Sequence, residues 1–182
     1  MSVVGIDDIA LHFPRLYFAM QDFAEFRGAD YGKLSKGLGL EAMAIPDVHE
    51  DTATMGANAV SRLIDRNSLD PSSIGRIYLG TDSALDGAKP TATYIMDMLE
   101  QRYSEKFGGN SFRNCDVVDM TFACIGAVDA MHNTLDWVAR GGQERNRIGI
   151  VVFADNAKYD LGSSGEYTQG AGCLLYTSDA AD

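Results

Sequence analysis

The spacing of apolar residues along the chain predicts its helices. Ala53, Ala57, Val60 and Ile64 recur every three or four residues, which places them on one face of a helix over residues 51–66. The same reasoning predicts further helices over residues 18–26, 31–36, 91–107 and 123–140. Charged residues are sparse in the last of these, so we expect it to be buried on more than one side. Its apolar stripe consists of Ile125, Val128, Met131, Leu135 and Val138.

Short apolar runs between the helices predict strands over residues 3–6, 9–13, 40–45, 76–81, 114–119 and 147–154. From residue 51 onward, helices and strands alternate. This order is typical of an α/β fold with a mainly parallel sheet and helices on its faces. Residues 148–153 are apolar throughout, as expected for a strand covered on both faces.

Three segments follow the carboxyl ends of the predicted strands, where ligands bind in sheets of this kind. They are the loop after Thr81, the turn that contains Cys124 and the loop after Ala154. The last of these loops is rich in glycine, but its spacing matches neither a P-loop nor a dinucleotide fingerprint. We therefore expect the chemistry of this protein to lie where these three segments meet.

Cys124 stands at the start of the predicted helix over residues 123–140. The unpaired N–H groups of a helix N-terminus carry a partial positive charge that stabilises a thiolate and lowers the pKa of the thiol. We interpret Cys124 as a nucleophile that accepts an acyl group. The pattern by itself also allows a small apolar core residue, which is the commoner role of a single cysteine in such a helix.

Asp82 offers a carboxylate at the end of a neighbouring strand. Such a group can remove a proton from the carbon next to a thioester carbonyl, and N–H groups at a helix start can stabilise the oxyanion that develops. The alternative for Asp82 is a turn or helix cap, which is common for an aspartate before a serine.

The composition is that of a soluble domain and argues against several classes of function. The 182 residues are 46% hydrophobic and 23% charged, as in ordinary soluble domains. A net charge of −11 argues against binding to nucleic acid or to an anionic membrane. Cys115, Cys124 and Cys173 form no close pairs, so we expect reduced thiols in the cytoplasm and no metal site. We find no signal peptide, and no apolar run approaches the roughly 20 residues that span a bilayer.

Five motifs occur in an order that resembles bacterial 3-hydroxy-3-methylglutaryl-CoA (HMG-CoA) synthases. The motifs are Lys36-Gly-Leu-Gly39, Asp51-Thr-Ala-Thr-Met-Gly-Ala-Asn-Ala59, Gly80-Thr-Asp-Ser83, Thr121-Phe-Ala-Cys124 and Gly165-Glu-Tyr-Thr-Gln-Gly-Ala-Gly172. The resemblance implies a thiolase-like fold of two similar α/β halves with a buried helix from each at the centre. Residues 1–172 correspond to the N-terminal half only.

The resemblance also implies a reaction and its residues. Cys124 takes an acetyl group from acetyl-CoA, a carboxylate removes a methyl proton, and the carbanion attacks acetoacetyl-CoA before water releases HMG-CoA. Asp155, Tyr159 and Thr168 match positions that contact the substrate. The implied protein is a cytoplasmic homodimer of the mevalonate pathway that uses CoA thioesters and no further cofactor.

The chain departs from the family pattern in three places. The family base is a glutamate, whereas this chain has the shorter Asp82. The catalytic histidine of the family lies in the second half. Residues 173–182 leave the family's apolar strand pattern within a few positions, so we expect a non-native or read-through tail and leave it out of the fold.

Two further functions remain open at this stage. One is a polyketide β-branching relative that acts on a β-ketoacyl group carried by a carrier protein. The other is a non-catalytic thiolase-like subunit. Asp82 in place of glutamate supports the second of these hypotheses, and Cys124 argues against it.

Overall fold

The computed structural model describes residues 4–122, 125–142 and 148–180, with the backbone alone at 142 and 173–180. Cys124 and the final two residues of the chain lie outside this part. The elements are β1 (Val4–His12), β2 (Leu16–Ala19), α1 (Met20–Arg27), β3 (Ala42–Ile45), α2 (Thr52–Asn67), β4 (Ile74–Gly80), α3 (Thr91–Phe107), β5 (Asp116–Met120), α4 (Gly126–Trp137), β6 (Ile148–Ala157) and β7 (Gly170–Ala180). None of the described helices is long and apolar enough to cross a bilayer.

The main sheet has the strand order β1-β7-β6-β4-β5. Strand β4 runs parallel to both β5 and β6, which confirms the predicted sheet, whereas β7 runs antiparallel to β1 and β6. In this register Gly80 pairs with Met120 on one side and with Phe153 on the other. The carboxyl ends of β4, β5 and β6 therefore meet at one edge of the sheet.

Helices cover both faces of the sheet. On one face, α2 and α3 pack against β4 and β6 around a core that includes Leu63, Ile77, Ile95 and Val152, each with no exposed surface. Helix α2 begins at Thr52, one residue after the predicted start, and Asp51 is its N-cap. The Asp51 carboxylate accepts a hydrogen bond from the backbone N–H of Thr54, and the Thr54 hydroxyl accepts one from the backbone N–H of Asp51.

Helix α4 covers the opposite face, and within this chain it is buried on one side rather than on several as expected. Its buried residues are the small ones: Gly126, Ala127, Ala130 and Thr134. The predicted stripe is mostly half-buried, and Ile125 keeps 44% of its surface exposed. The small side chains let the helix backbone approach β4 closely. Of the predicted stripe, Val138 is fully buried and Met131 packs against the sheet residues Tyr78 and Val151.

The N-terminal segments differ from the prediction in two ways. The two short strands predicted before residue 14 form the single strand β1, with an irregularity between Ile6 and Asp8. The helix predicted from residue 18 begins at Met20, because the preceding residues of β2 pair with β3 in a separate two-stranded sheet. Helix α1 still ends as predicted, at Gly28 in the left-handed conformation.

Strand β7 includes residues that we left out of the fold. The backbone of residues 173–180 continues the strand and pairs with both β1 and β6. This pairing corrects their exclusion from the fold. Pairing does not report the origin of the segment, so its non-native character stays a prediction.

Candidate active site

Asp155, in β6, connects the ends of two strands. Its Oδ1 atom accepts a hydrogen bond from the Thr81 hydroxyl at 3.0 Å and another from the backbone N–H of Asp82 at 2.7 Å. Thr81 is fully buried, whereas the Asp82 side chain is exposed. Asp155 therefore holds the turn that presents Asp82, a contact between two predicted site residues that lie 73 positions apart.

Ser83 is anchored from three directions. Its N–H donates to the Thr81 hydroxyl at 2.9 Å, and its own hydroxyl accepts from the N–H of Asn156 at 3.0 Å. Its carbonyl accepts a hydrogen bond from the hydroxyl of Thr52, at 2.8 Å. Sequence reasoning missed Thr52 and Asn156, although Thr52 belongs to one of the five motifs and Asn156 follows Asp155 directly.

A cleft of about 540 Å³ opens beside this turn. Its lining includes Asp82, Ser83, Asn156 and Tyr159 together with the charged residues Glu50, Asp51 and Lys158. The Asp51 carboxylate caps α2, and that of Glu50 accepts from the N–H of Asp47 and lies 3.4 Å from the His12 imidazole. Within the described part of the chain, Asp82 is the carboxylate of this cleft whose side chain makes no hydrogen bond, so it is the one free to act on a ligand.

The start of α4 lies at the same edge of the sheet. The N–H of Gly126 donates to the carbonyl of Phe122 at 3.0 Å, and that of Thr81 donates to the carbonyl of Met120 at 3.3 Å. A Cβ atom at Gly126 would overlap the Met120 carbonyl oxygen. The predicted nucleophile, Cys124, lies outside the described residues. Its described flanks, Phe122 and Gly126, bond to each other, and Gly126 packs against the end of β5, to which Thr81 also bonds.

The Asp119 carboxylate has a structural role that the sequence did not indicate. We predicted it only as the last residue of a strand, and its carboxylate caps α3 instead. It accepts hydrogen bonds from the backbone N–H groups of Thr91 and of Ala92, the latter at 2.9 Å. This cap fixes α3 to the carboxyl end of β5.

Tyr159 and Thr168 lie in the loop between β6 and β7. Tyr159 lines the cleft, is 49% exposed and packs its ring against Gly165, and its N–H donates to the side-chain oxygen of Gln169 at 3.0 Å. The Thr168 hydroxyl donates to the carbonyl of Gly165 at 2.7 Å and does not line this cleft. The structure thus brings Asp82 and Tyr159 to one cleft and ties Asp155 to the backbone of Asp82, whereas neither Asp155 nor Thr168 lines that cleft.

An ion pair ties this loop to α1. The Arg27 guanidinium lies 2.5 Å from the carboxylate of Glu166, which is buried and also accepts from the N–H of Gly162 at 2.8 Å. The hydrogen bond from Arg27 is the main reason that the pKa of Glu166 lies below its ordinary value. The loop that carries Tyr159 is therefore held from outside the main sheet.

No group of three or more histidine, cysteine, aspartate or glutamate side chains among the described residues is arranged to hold a metal ion. The expectation that the site uses no metal stays a prediction.

Comparison with known proteins identifies the family. Residues 2–180 match the family model described as hydroxymethylglutaryl-coenzyme A synthase N terminal. The hydroxymethylglutaryl-CoA synthase of Haloferax volcanii is 40% identical over 180 residues, which are 98% of this chain and 39% of that protein. That of Dictyostelium discoideum is 36% identical over 171 residues, which are 94% of this chain and 33% of that protein.

A solved structure shows the same fold. The structure of MvaS in complex with 3-hydroxy-3-methylglutaryl coenzyme A superposes with a TM-score of 0.88 at 33% identity, over 99% of this chain and 40% of that one. This likeness confirms the thiolase-like fold that the motifs implied. The chain spans about two fifths of the length of these proteins or less. A family match that runs from residue 2 to residue 180, through β1 and β7 alike, places the chain in the hydroxymethylglutaryl-CoA synthase N-terminal family.

Proposed function

We propose that this chain is the N-terminal part of an enzyme that makes HMG-CoA from acetyl-CoA and acetoacetyl-CoA. The observation that carries the proposal is the turn from Thr81 to Ser83, which presents the Asp82 carboxylate at the sheet edge where α4 begins. Members of this family are acyltransferases that form a carbon–carbon bond, and the cleft beside Asp82 is large enough to admit part of a thioester substrate.

Cys124 acts as the nucleophile in this proposal. Its thiolate attacks the carbonyl carbon of acetyl-CoA, the bond from that carbon to the sulfur of CoA breaks, and CoA leaves as a thiol after it takes up a proton. The product is an acetyl group in thioester linkage to the enzyme. The helix N-terminus that follows Cys124 favours both the thiolate and the oxyanion that forms during transfer.

Asp82 acts as the general base. It accepts a proton from the methyl group of the acetyl-enzyme, and the carbanion equivalent attacks the ketone carbon of acetoacetyl-CoA. The carbon–oxygen double bond of the ketone becomes a single bond, and its oxygen takes up a proton to become the 3-hydroxyl group. Water then hydrolyses the thioester to Cys124, which releases the product as a free carboxylate at that end. Asp155 has one oxygen engaged by the turn, so its second oxygen and the Tyr159 hydroxyl are the proposed substrate contacts, with Thr168 a weaker candidate.

The rest of the proposal concerns the whole protein. We infer a cytoplasmic homodimer of the mevalonate pathway that uses CoA thioesters as substrates and needs no cofactor. The catalytic histidine that the family requires lies in the second part of the protein. The present chain by itself is therefore expected to be inactive.

Labelled acetyl-CoA provides the test. The full-length protein should acquire an acetyl thioester on Cys124 and should form HMG-CoA when acetoacetyl-CoA is added. A Cys124→Ser variant should acquire none. Acetylation followed by turnover only on a carrier-protein-bound acceptor would replace this function with polyketide β-branching. Absence of acetylation in the wild-type protein would exclude both and leave a non-catalytic subunit.

A further inference from the structure

Thr52 lies in the first turn of α2, and only 1% of its surface is exposed. Its hydroxyl donates a hydrogen bond to the carbonyl of Ser83, 31 positions along the chain. The cap of α2 does not need this hydroxyl, because Asp51 and Thr54 complete the capping box between them. The buried Thr52 hydroxyl bonds to the active-site turn and not to its own helix, so helix capping does not explain it.

The bonds to the turn fix the backbone on both sides of Asp82. Its own N–H is held by Asp155, and the carbonyl of the next residue, Ser83, is held by Thr52. The Ser83 hydroxyl is held in addition by the N–H of Asn156. Together with the bond from the Ser83 N–H to the Thr81 hydroxyl, these bonds hold the backbone around the Asp82 Cα atom, while the carboxylate itself stays exposed in the cleft.

The position of the Asp82 backbone matters because the aspartate side chain is short. An aspartate has two side-chain torsions, so it has little freedom to correct an error in the position of its Cα atom. A displacement of about 1 Å at a reacting group lowers rates about a hundredfold. Loss of the Thr52 bond removes the anchor of the Ser83 carbonyl. The bond from the Asp82 N–H to Asp155 and the bonds of the Ser83 N–H and hydroxyl stay in place.

We propose that Thr52 is a positioning residue for Asp82, through the Ser83 carbonyl, and that it acts on proton removal from the acetyl group and not on acetyl transfer to Cys124. This inference rests on the proposed function. The proposal gives a residue of α2 a role in the reaction. The sequence does not indicate this role, because Thr52 lies far from Asp82 along the chain.

The test compares the two half-reactions in the full-length protein. In a Thr52→Val variant, acetylation of Cys124 should stay within about twofold of wild type, and condensation of the preformed acetyl-enzyme should slow by about tenfold or more. Thr52→Ser keeps the hydroxyl and should restore condensation. Thr52→Ala also lacks the hydroxyl and should reproduce the defect if the valine variant does not fold.

Thr134→Val is a matched control. Thr134 is also fully buried in a helix, and within the described part of the chain its hydroxyl makes no hydrogen bond. Loss of that hydroxyl should leave both half-reactions unchanged. An equal loss of acetylation and condensation in Thr52→Val would overturn the proposal, because a general loss of structure affects both steps.

Amide hydrogen exchange separates failure of this inference from failure of the proposed function. The N–H groups of residues 83–85 should exchange faster in Thr52→Val than in wild type, whatever reaction the protein catalyses. They should exchange at the wild-type rate in Thr52→Ser and in Thr134→Val. Unchanged exchange in Thr52→Val would refute the positioning role even if the protein proves to be an HMG-CoA synthase, and a wild-type protein without acetylation would refute the function alone.

Discussion

Gly80 at the end of β4 lies directly against Ala127 in the first turn of α4, with no room between them for a side chain. A Cβ atom at position 80 would overlap the backbone nitrogen and the Cα of Ala127. Glycine at this position therefore allows the helix to begin beside the strand that leads to Asp82. The relative placement of the two predicted catalytic segments depends on this contact.

A Gly80→Ala substitution should destabilise the protein and displace the start of α4. The added methyl group meets backbone atoms, which cannot rotate away, so we expect a loss of at least about 1–3 kcal/mol in the free energy of unfolding. Chemical denaturation measures this loss. Gly87 lies in an open loop where an added Cβ meets no atom within 4 Å, so Gly87→Ala should leave stability unchanged. Equal effects at both positions would contradict the proposed close contact.

In the full-length protein, Asp82→Asn should separate the two half-reactions of the proposed synthase. The amide keeps the shape of the side chain but cannot accept the methyl proton, so condensation should fall about 10²- to 10⁴-fold while acetylation of Cys124 continues. Rapid-quench measurement of each step would show the difference. Asp86 lies in the same exposed loop and caps the N–H of Ala88. Asp86→Asn should therefore change neither rate, and full condensation activity in Asp82→Asn would remove Asp82 from the mechanism.

Asp119→Ala should unfold the protein more easily by about 1–2 kcal/mol, since it removes the acceptor for two N–H groups at the start of α3. The side chain of an Asp119→Asn variant retains one acceptor oxygen, so this variant should lose less stability than the alanine variant. Thermal or urea denaturation of the three proteins gives this order. Asp160 is exposed, so Asp160→Ala is the control. An equally small loss of stability in Asp119→Ala and Asp160→Ala would show that the cap contributes nothing.

Tyr103 should make stability depend on alkaline pH. Burial, followed by its hydrogen bond to the Asp65 carboxylate at 2.7 Å, raises the pKa of Tyr103 to about 12. The ordinary pKa of tyrosine is about 10, so the unfolded chain ionises first. The stabilisation is complete below about pH 10 and is lost as the pH rises towards 12, by on the order of 2 kcal/mol.

A Tyr103→Phe variant should lack this part of the pH dependence. Urea denaturation between about pH 9 and about pH 12, values chosen to bracket the two pKa values above, would measure it against wild type. Tyr17 is 70% exposed, so Tyr17→Phe serves as the control and should follow the wild-type curve. Parallel curves for wild type and Tyr103→Phe would place the pKa of Tyr103 near its ordinary value.

The outer face of α4 should make this chain associate when it is expressed alone. Phe122 and Ile125 are 69% and 44% exposed, and by helical spacing the half-buried Val128 and Leu135 continue this apolar surface. We expect oligomers or aggregates in sedimentation experiments, and more monomer after Ile125→Gln. Val48→Gln, at a fully exposed loop position, should change little. A stable monomer of the unmodified chain would show that this face needs no partner.

Local sequence signals were sufficient for several elements. Helix α3 spans Thr91–Phe107 as predicted, and α2 begins at Thr52, one residue after the predicted start, because apolar spacing acts within one or two helical turns. Alternation of helices and strands also predicted the parallel strands and the edge at which Asp82 and Asp155 meet. These features depend on neighbours in the sequence or on general rules of chain topology.

Other structural features were not predicted by the local sequence pattern. The stripe predicted as the buried face of α4 is mostly half-buried, since contact with Gly80 places the smallest side chains of the helix, and not the most apolar ones, nearest the sheet. Residues 173–180 complete the sheet as β7, between β1 and β6, although their sequence alone did not indicate it. Asp119 was predicted only as a strand residue and proved to be a helix cap.

By itself, the sequence determined the α/β class, the order of its main elements, the family and the identity of the candidate residues, because these depend on short-range periodicity and on ordered motifs. The tertiary structure decided which distant residues form hydrogen bonds and ion pairs with one another. The partners of Thr52, Asp155 and Arg27 lie 31, 73 and 139 positions away. No local pattern specifies such pairs, since they form only when the packed sheet brings distant segments to one edge.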